Sequence, residues 1–230
     1  MNDTTVVVTG ASSGLGAAVA RAFGRTGATV VACARDKDAL RDVLDDVEDV
    51  GGVAEGLRAD VRDELDMERL METAARIGGD IDVLVANAGI NHGTPGEMPL
   101  DEESYAAFDD TLRTNVRGVF AAVKEARPHM ADDARILVPS GSVARDAEPG
   151  MGAYAVSKAA AEALVRQFAA DCDQSVCVVD PGLVATDLSG GQGRDPDDVA
   201  GLFVWAATEA DPTDFDGGTL DRTAWKNATQ

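Results

Sequence analysis

Lysine is scarce in this chain, with four among 230 residues, at positions 37, 124, 158 and 226, against 41 aspartates and glutamates. The formal net charge is −21. So acidic a chain repels phosphate backbones and anionic headgroups, which argues against nucleic acid and membrane as partners. Histidine occurs twice, as His92 and His129, and cysteine three times, as Cys33, Cys172 and Cys177, without metal-ligand spacing. No zinc or other metal site is expected. An apolar run of membrane-spanning length and a basic, apolar leader are both lacking, so a soluble cytoplasmic protein is expected. With 45% apolar residues, the acid content does not signal disorder. It predicts a dense carboxylate surface suited to high salt, a halophilic trait, because screening removes the self-repulsion. Linkers, repeats and low-complexity segments are absent, and the length fits one α/β domain spanning residues 1–230.

What is present begins with a β-branched run, Thr5 to Thr9, followed at once by Gly10, Ala11, Ser12, Ser13, Gly14, Leu15 and Gly16, and then by a helical pattern. Strand, glycine-rich turn and helix make a phosphate cradle: the glycines let the backbone approach a pyrophosphate, and the helix N-terminus supplies amide donors. The spacing is Gly-x-x-x-Gly-x-Gly. A second strand, Ala28 to Ala34, follows one βα unit later. At its end an acidic residue binds ribose hydroxyls and an arginine accepts a 2′-phosphate. Here Ala34 stands where the acid is expected and Arg35 follows, which favours NADP(H) with NAD(H) possible. The competing reading pairs Arg35 with Asp36 or Asp38 on the surface. A weak strand over 54–59 closes at Asp60 and Val61. A further strand from Ile81 ends in the small-residue turn Asn87, Ala88 and Gly89, where a cofactor lies close to backbone. His92 follows, and a solvated loop histidine is the simpler account of it.

Residues 105–130 read as one long helix with Asn115 midway, a polar residue that needs partners and either bends the helix or holds a water linked to Lys158. Then comes the stretch that carries the chemistry. Ile136 to Val138 read as a short buried strand. Pro139 and Gly141 end it, with Ser140 and Ser142 where it emerges. An alanine-rich helix follows with Tyr154 and Lys158 four residues apart, hence on one face. An ammonium beside a phenol favours the phenolate, so the tyrosine pKa is expected to fall. Such a tyrosine exchanges a proton with a carbonyl or alcohol oxygen, and a nearby serine hydroxyl holds that oxygen. Ser175 to Asp180 read as a strand, a helix starts at Asp195-Pro196, and the stretch from Gly217 is less regular, with a last short strand at Thr219-Leu220.

Together these residues resemble the short-chain dehydrogenase/reductase family. The matching pieces are TGASSGLG at 9–16, Asp60-Val61, Asn87-Ala88-Gly89, Asn115, YAVSK at 154–158, Pro181-Gly182 and Thr186. The resemblance implies a doubly wound Rossmann-type domain with a mostly parallel seven-stranded sheet flanked by helices. Residues 1–90 form its cofactor half and 91–230 its catalytic and substrate elements. It implies NAD(P)-dependent hydride transfer to or from a carbonyl or alcohol: a ketone, a 3-oxoacyl thioester or a sugar. Tyr154 is then the acid/base, Lys158 lowers its pKa and binds the nicotinamide ribose, and Asn115 supports a proton-relay water. Pro181, Gly182, Val184 and Thr186 join the cofactor contacts already named.

Two features depart from the family. Its catalytic serine usually falls at the position that is Gly141 here. Ser142, followed by Val-Ala, is the choice, with Ser140 in reserve and a bulge at Pro139–Gly141 to reconcile the register. The segment between Thr186 and Asp195 is short and glycine-rich, so a shallow or open pocket is expected, completed by another subunit. The resemblance implies a homotetramer or homodimer built through the helices around 105–130 and 155–171. The alternative function is a non-catalytic dinucleotide-binding regulator on the same fold.

Overall fold

The molecule, a computed structural model that describes Met1 and residues 3–229, begins its first strand where the β-branched run lies. β1 (Thr5–Thr9) is buried along its whole length. The chain then alternates helix and strand: α1 (Gly14–Gly24), β2 (Thr29–Ala34), α2 (Lys37–Asp49), β3 (Val53–Arg58), α3 (Glu64–Gly78) and β4 (Ile81–Val85). Aspartates start two of these helices. Asp36 accepts from the amides of Asp38 and Ala39 at the head of α2, and Asp63 from those of Leu65 and Asp66 at the head of α3. The second half continues with α4 (Tyr105–Leu112), α5 (Gly118–Ala126), β5 (Met130–Pro139), α6 (Gly152–Asp171), β6 (Ser175–Asp180), α7 (Pro196–Thr208), α8 (Pro212–Phe215), β7 (Thr219–Asp221) and α9 (Arg222–Ala228).

The seven strands form one sheet in the order β3-β2-β1-β4-β5-β6-β7. Each pairing is parallel, so the sheet is wholly rather than mostly parallel. The chain works outward from β1 to β3, then crosses back to β4 on the other side of β1. That reversal opens a crevice beyond the carboxyl ends of β1 and β4, the place where open α/β sheets bind ligands. Because successive side chains point to opposite faces, β1 feeds two cores. Val6 and Val8 join Phe23, Leu202 and Phe203 on one side of the sheet. Val7 joins Met67, Leu70, Met71 and Leu84 on the other. A sheet covered on both faces needs near-continuous apolar strands, which is what β1, β2 and β4 supply.

The helix expected over 105–130 runs unbroken from Tyr105 to His129, one residue short, but is not uniform. α4 passes into a π-helical turn, Arg113–Arg117, before α5, and a 3-10 turn, Arg127–His129, leads into β5. The π turn holds the buried Asn115, whose side chain is drawn to partners off the helix; such turns are where helices kink. Three expectations need correction. β5 starts at Met130, well before Ile136, because its first half pairs with Ile81 across a register shift. No bulge separates β5 from β6: Arg135 to Pro139 pair in register with Ser175 to Val179, and Ser140 N continues to Val179 O at 3.0 Å. Gly141 is extended, and a 3-10 turn at Ser142–Ala144 redirects the chain. Finally, the irregular C-terminus contains α9, started by Asp221, whose carboxylate accepts from Ala224 N at 2.8 Å. Among the described residues no helix is long and apolar enough to cross a membrane, and no cluster of three acidic, histidine or cysteine side chains could hold a metal.

Candidate active site

Two glycines show how closely the turn after β1 is packed. Gly10 has φ of 66°, and a Cβ there would lie 2.7 Å from Ala88 Cα. A Cβ on Gly16 would lie 2.3 Å from Gly10 O and 2.4 Å from Asn87 Nδ2. Asn87 ties the ends of β1 and β4 together, donating to Thr9 O and Gly10 O, each at 3.0 Å. Thr9 Oγ1 accepts from Ala88 N at 3.1 Å. The glycines thus bring backbone against backbone and leave open the groove above them. Ser12, Ser13, Gly14 and Leu15 face that groove, and Ser13 caps α1 with no side-chain bond, so no side chain occupies the first amides. A pyrophosphate fits this cradle by charge and by room.

The groove belongs to one cleft of ≈ 850 Å³. Ala34 and Arg35 stand at one end of it, Ala34 buried and Arg35 exposed. Asp36 is occupied as the cap of α2, and Arg35 has no ion-pair partner among the described residues. Asp60 and Val61 line the same end. Asp60 is already held by Arg62, whose Nε lies 2.9 Å and 3.0 Å from its two oxygens; this pairing keeps the carboxyl below its ordinary range. Arg62 also reaches Asp110 at 2.6 Å, and His92 Nε2 sits 2.9 Å from the other oxygen of Asp110. His92 is therefore half-exposed and tethered to α4.

At the other end of the cleft, α6 presents Tyr154 and Lys158 on one face. Lys158 Nζ lies 5.8 Å from the Tyr154 ring centre and donates to Pro139 O at 2.9 Å. The tyrosine pKa does not fall as expected. Burial pushes the phenol up to about 12, and the ammonium, turned to Pro139 O, does not offset it. Burial pushes Lys158 down to about 8, against the pull of the Glu162 carboxylate one turn along. Ser140 and Ser142 both line the cleft with Tyr154. Ser140 is 8% exposed, and its Oγ finds no partner among the described residues. Ser142, on the 3-10 turn, is exposed to the cleft mouth.

Asn115 ties the loop after β4 to α6. Its Oδ1 accepts from Ile90 N at 2.8 Å. Its Nδ2 donates to Ile90 O at 2.9 Å and to Ser157 Oγ at 3.0 Å. Both amide hydrogens are thus in use within the protein. Pro181, Gly182, Val184 and Thr186 form the near wall after β6. A Cβ on Gly14 would lie 2.9 Å from Thr186 Cγ2, so this wall leans on the cradle.

These features have counterparts in known proteins. A sequence profile described as short chain dehydrogenase matches residues 4–197. The chain belongs to the short chain dehydrogenase family. Over 188 residues it is 36% identical to a short chain dehydrogenase/reductase of Aspergillus aculeatus, covering 79% of this chain and 69% of that one. Over 194 residues it is 35% identical to a versicolorin reductase of Emericella nidulans, covering 82% and 72%. A short chain dehydrogenase of Burkholderia cenocepacia, solved with NADP, superposes with a TM-score of 0.83 at 28% identity, covering 95% and 96%. The same TM-score and identity, with 95% of each chain covered, relate it to an alcohol dehydrogenase of the archaeon Thermococcus sibiricus, solved with 5-hydroxy-NADP. As a family member this chain is an NAD(P)-dependent oxidoreductase.

Several residues of this short chain dehydrogenase that shape the site were not foreseen. Glu103 accepts from Ala153 N and so caps α6 at the turn that precedes Tyr154. Met98 bridges to Met151, drawing the loop after β4 across the head of the same helix. The short segment after Thr186 is ordered as a 3-10 turn, Asp187–Ser189, in a reciprocal capping box, and Asn91 Nδ2 reaches Leu188 O at 3.4 Å. Thr186 followed by a serine three residues on is the sequence signal for that turn. Glu103 offers none, since its partner is 50 residues away.

Proposed function

We propose that this dehydrogenase reduces a carbonyl compound, or oxidises the matching alcohol, with NADP(H) preferred over NAD(H). The observation that carries the reading is the placing of Tyr154, Lys158 and Ser142 on the cleft that the glycine cradle opens into. Gly10, Ser12, Ser13, Gly14, Leu15 and Gly16 would hold the pyrophosphate, and Arg35 the 2′-phosphate. Asp60 and Val61 would face the adenine end, and Asn87, Ala88, Gly89, Pro181, Gly182, Val184 and Thr186 the backbone-lined middle and nicotinamide end. Bound there, the nicotinamide cofactor supplies or takes the hydride.

The chain's own residues handle the proton. Tyr154 is the acid/base: with its pKa at about 12 it carries its proton at neutral pH and donates it to the substrate oxygen on reduction. Ser142 Oγ donates a hydrogen bond to that oxygen, and Ser140 is the reserve for this role. Lys158 supplies positive charge beside the tyrosine and to the cofactor ribose. Asn115 holds the loop after β4 against α6, and a relay water on its remaining Oδ1 lone pair fits the family's pattern. The substrate is a ketone, a 3-oxoacyl thioester or a sugar-like carbonyl.

A single domain over 1–230 carries all of this, with 1–90 as the cofactor half. It assembles as a homodimer or homotetramer, a reading supported by Tyr105, 92% exposed, and by Phe120 and Val156, which are exposed on α5 and α6. Free cysteines, two of them buried, suit a reducing cytoplasm. The charge of −21 suits a salty one. The test is NADPH oxidation at low and high salt against a panel of ketones, 3-oxoacyl thioesters and sugars, with Tyr154→Phe beside the wild type. Turnover should fall about 10²–10⁴-fold in the variant while NADPH still binds. NADPH binding with no turnover of any carbonyl would favour the non-catalytic regulator instead.

A further inference from the structure

The guanidinium of Arg145 sits where four segments meet. Its Nη1 donates to Glu162 Oε1 on α6 at 3.0 Å and to Thr219 Oγ1 at the start of β7 at 3.5 Å. Its Nη2 donates to Asp180 Oδ2 at the end of β6. Its own amide closes the serine turn on Ser142 O at 2.8 Å. Asp180 in turn accepts from Gly182 N at 2.9 Å through its other oxygen. One planar fork therefore ties the Ser142 turn to the helix of Tyr154 and Lys158 and to the wall at Gly182.

Glu162 gives this contact its importance. Its side chain is 7% exposed, and Arg145 is its ion-pair partner among the described residues. A buried carboxylate without a partner is strongly unfavourable. Glu162 also lies one helical turn from Lys158, on the same face. The charged and titratable groups around this pair are Tyr154 on α6, Arg145 on the turn and Asp180 on β6, with Pro139 O on β5 taking the Lys158 proton donor.

We infer that Arg145 is a positioning residue for the reaction: it fixes the Ser142 turn against the helix face of Tyr154 and Lys158, and it draws the Glu162 charge away from Lys158. The inference rests on the assignment of Tyr154, Lys158 and Ser142 proposed above. Its consequence is electrostatic as well as mechanical. With Arg145 neutral, Glu162 acts on Lys158 uncompensated and keeps the ammonium to a higher pH. With Glu162 neutral, Lys158 loses its proton earlier, and Arg145 keeps only Asp180 as its ion-pair partner.

The experiment is a charge cycle read by the pH profile of kcat/KM. Arg145→Gln, Glu162→Gln, the double variant and Arg145→Lys are compared with wild type, with thermal unfolding and NADPH binding measured alongside. Arg145→Gln should lower kcat about 10- to 10²-fold and move the alkaline limb upward. Glu162→Gln should move that limb downward, and adding Arg145→Gln to it should move the limb up by much less than Arg145→Gln does in the wild type. Arg145→Lys should return the limb to its wild-type position and restore part of kcat, since it keeps the charge but not the fork. A purely structural arginine would lower kcat or the melting temperature and leave the limb in place. An unmoved limb in Arg145→Gln overturns the inference, as does an equal shift by Arg145→Gln with and without Glu162. If Arg145→Gln leaves Glu162 too unfavourably buried to fold, Glu162→Gln and the double variant decide: a wild-type limb in Glu162→Gln, or the same kcat in both variants, overturns it. Tyr154→Phe separates the two readings: full turnover there removes the catalytic assignment, whereas an inactive Tyr154→Phe with an unmoved limb in Arg145→Gln removes only the role of Arg145.

Discussion

Asn115 Nδ2 lies 3.0 Å from Ser157 Oγ, and this contact fastens the π turn between α4 and α5 to the helix that carries Tyr154 and Lys158. Ser157 Oγ passes the link on by donating to Tyr154 O at 2.7 Å. Asn115 is 2% exposed, and its bond to Ser157 is buried. The asparagine inside the π turn is the same group that anchors the loop after β4.

Asn115→Leu tests that linkage. It keeps the volume but leaves Ile90 N and Ile90 O without their partner. A part-buried group so orphaned costs up to about 1–3 kcal/mol, and two are orphaned here. The melting temperature should fall by about 5 °C or more. Turnover should fall with it, because Ile90 and α6 lose their common tether. An unchanged melting temperature would mean that the loop after β4 is held by something else.

The two serines are separated by a comparison. Ser142→Ala should cost about 10²–10³ in rate, as expected for one lost donor to a developing oxyanion. Ser140→Ala should cost far less and leave the melting temperature unchanged or slightly raised, because it removes a buried Oγ that has no partner among the described residues. Turnover numbers for both variants at saturating substrate decide it. The opposite ranking would give the substrate oxygen to Ser140.

The parts of this site that could be read in the sequence are those held by neighbours along the chain. The cradle is one contiguous turn, and Tyr154 and Lys158 share a face through helical spacing alone. The parts that could not be read depend on distant residues or on burial. Arg145 directly follows Ser142-Val-Ala, yet its partners Glu162 and Asp180 lie 17 and 35 residues away. The direction of the Tyr154 shift is not legible, because helical spacing places an ammonium nearby but says nothing of how much water the helix excludes, and burial outweighs the charge. α9 was legible in principle, since Asp221 is a good N-cap three residues before the amide it binds. Its seven residues are too few for a periodic apolar face to stand out.

A pH experiment follows from Lys158. Burial first, opposed by Glu162, brings it from 10.5 to about 8. If its ammonium holds the cofactor ribose, NADPH affinity should decline as pH rises through about 8. The stability effect has the opposite sign. Between about 8 and 10.5 the unfolded lysine holds its proton and the folded one has released it, so stability rises with pH over that window. Tyr154, raised from 10.0 to about 12, reverses this above pH 10, where the unfolded chain loses the proton first. The difference in urea midpoint between wild type and Lys158→Met, followed across this range, isolates the lysine. A flat difference would place the ammonium in water in the folded state.

Cofactor choice turns on Arg35, which is exposed at the end of the cleft beside the buried Ala34. Its fork suits a phosphate, and its neighbour Asp36 is committed to the amides of Asp38 and Ala39 at the head of α2. Ala34 offers no carboxylate to bind ribose hydroxyls or to repel a 2′-phosphate. A charge-assisted contact contributes about 1.5–3 kcal/mol, or roughly ten- to over a hundredfold in affinity. NADPH should therefore bind at least about tenfold tighter than NADH at low salt. The carboxylate surface opposes both cofactors alike and discriminates little. Salt should narrow the gap, because an exposed guanidinium is screened within about 10 Å at 0.1 M. Arg35→Ala should weaken NADPH binding and leave NADH nearly untouched. Titrating both cofactors into both proteins by nicotinamide fluorescence gives the answer. Equal affinities in the wild type would put Arg35 in solvent, and, with Asp36 already used as a cap, would leave backbone groups of the β2–α2 turn to meet the ribose.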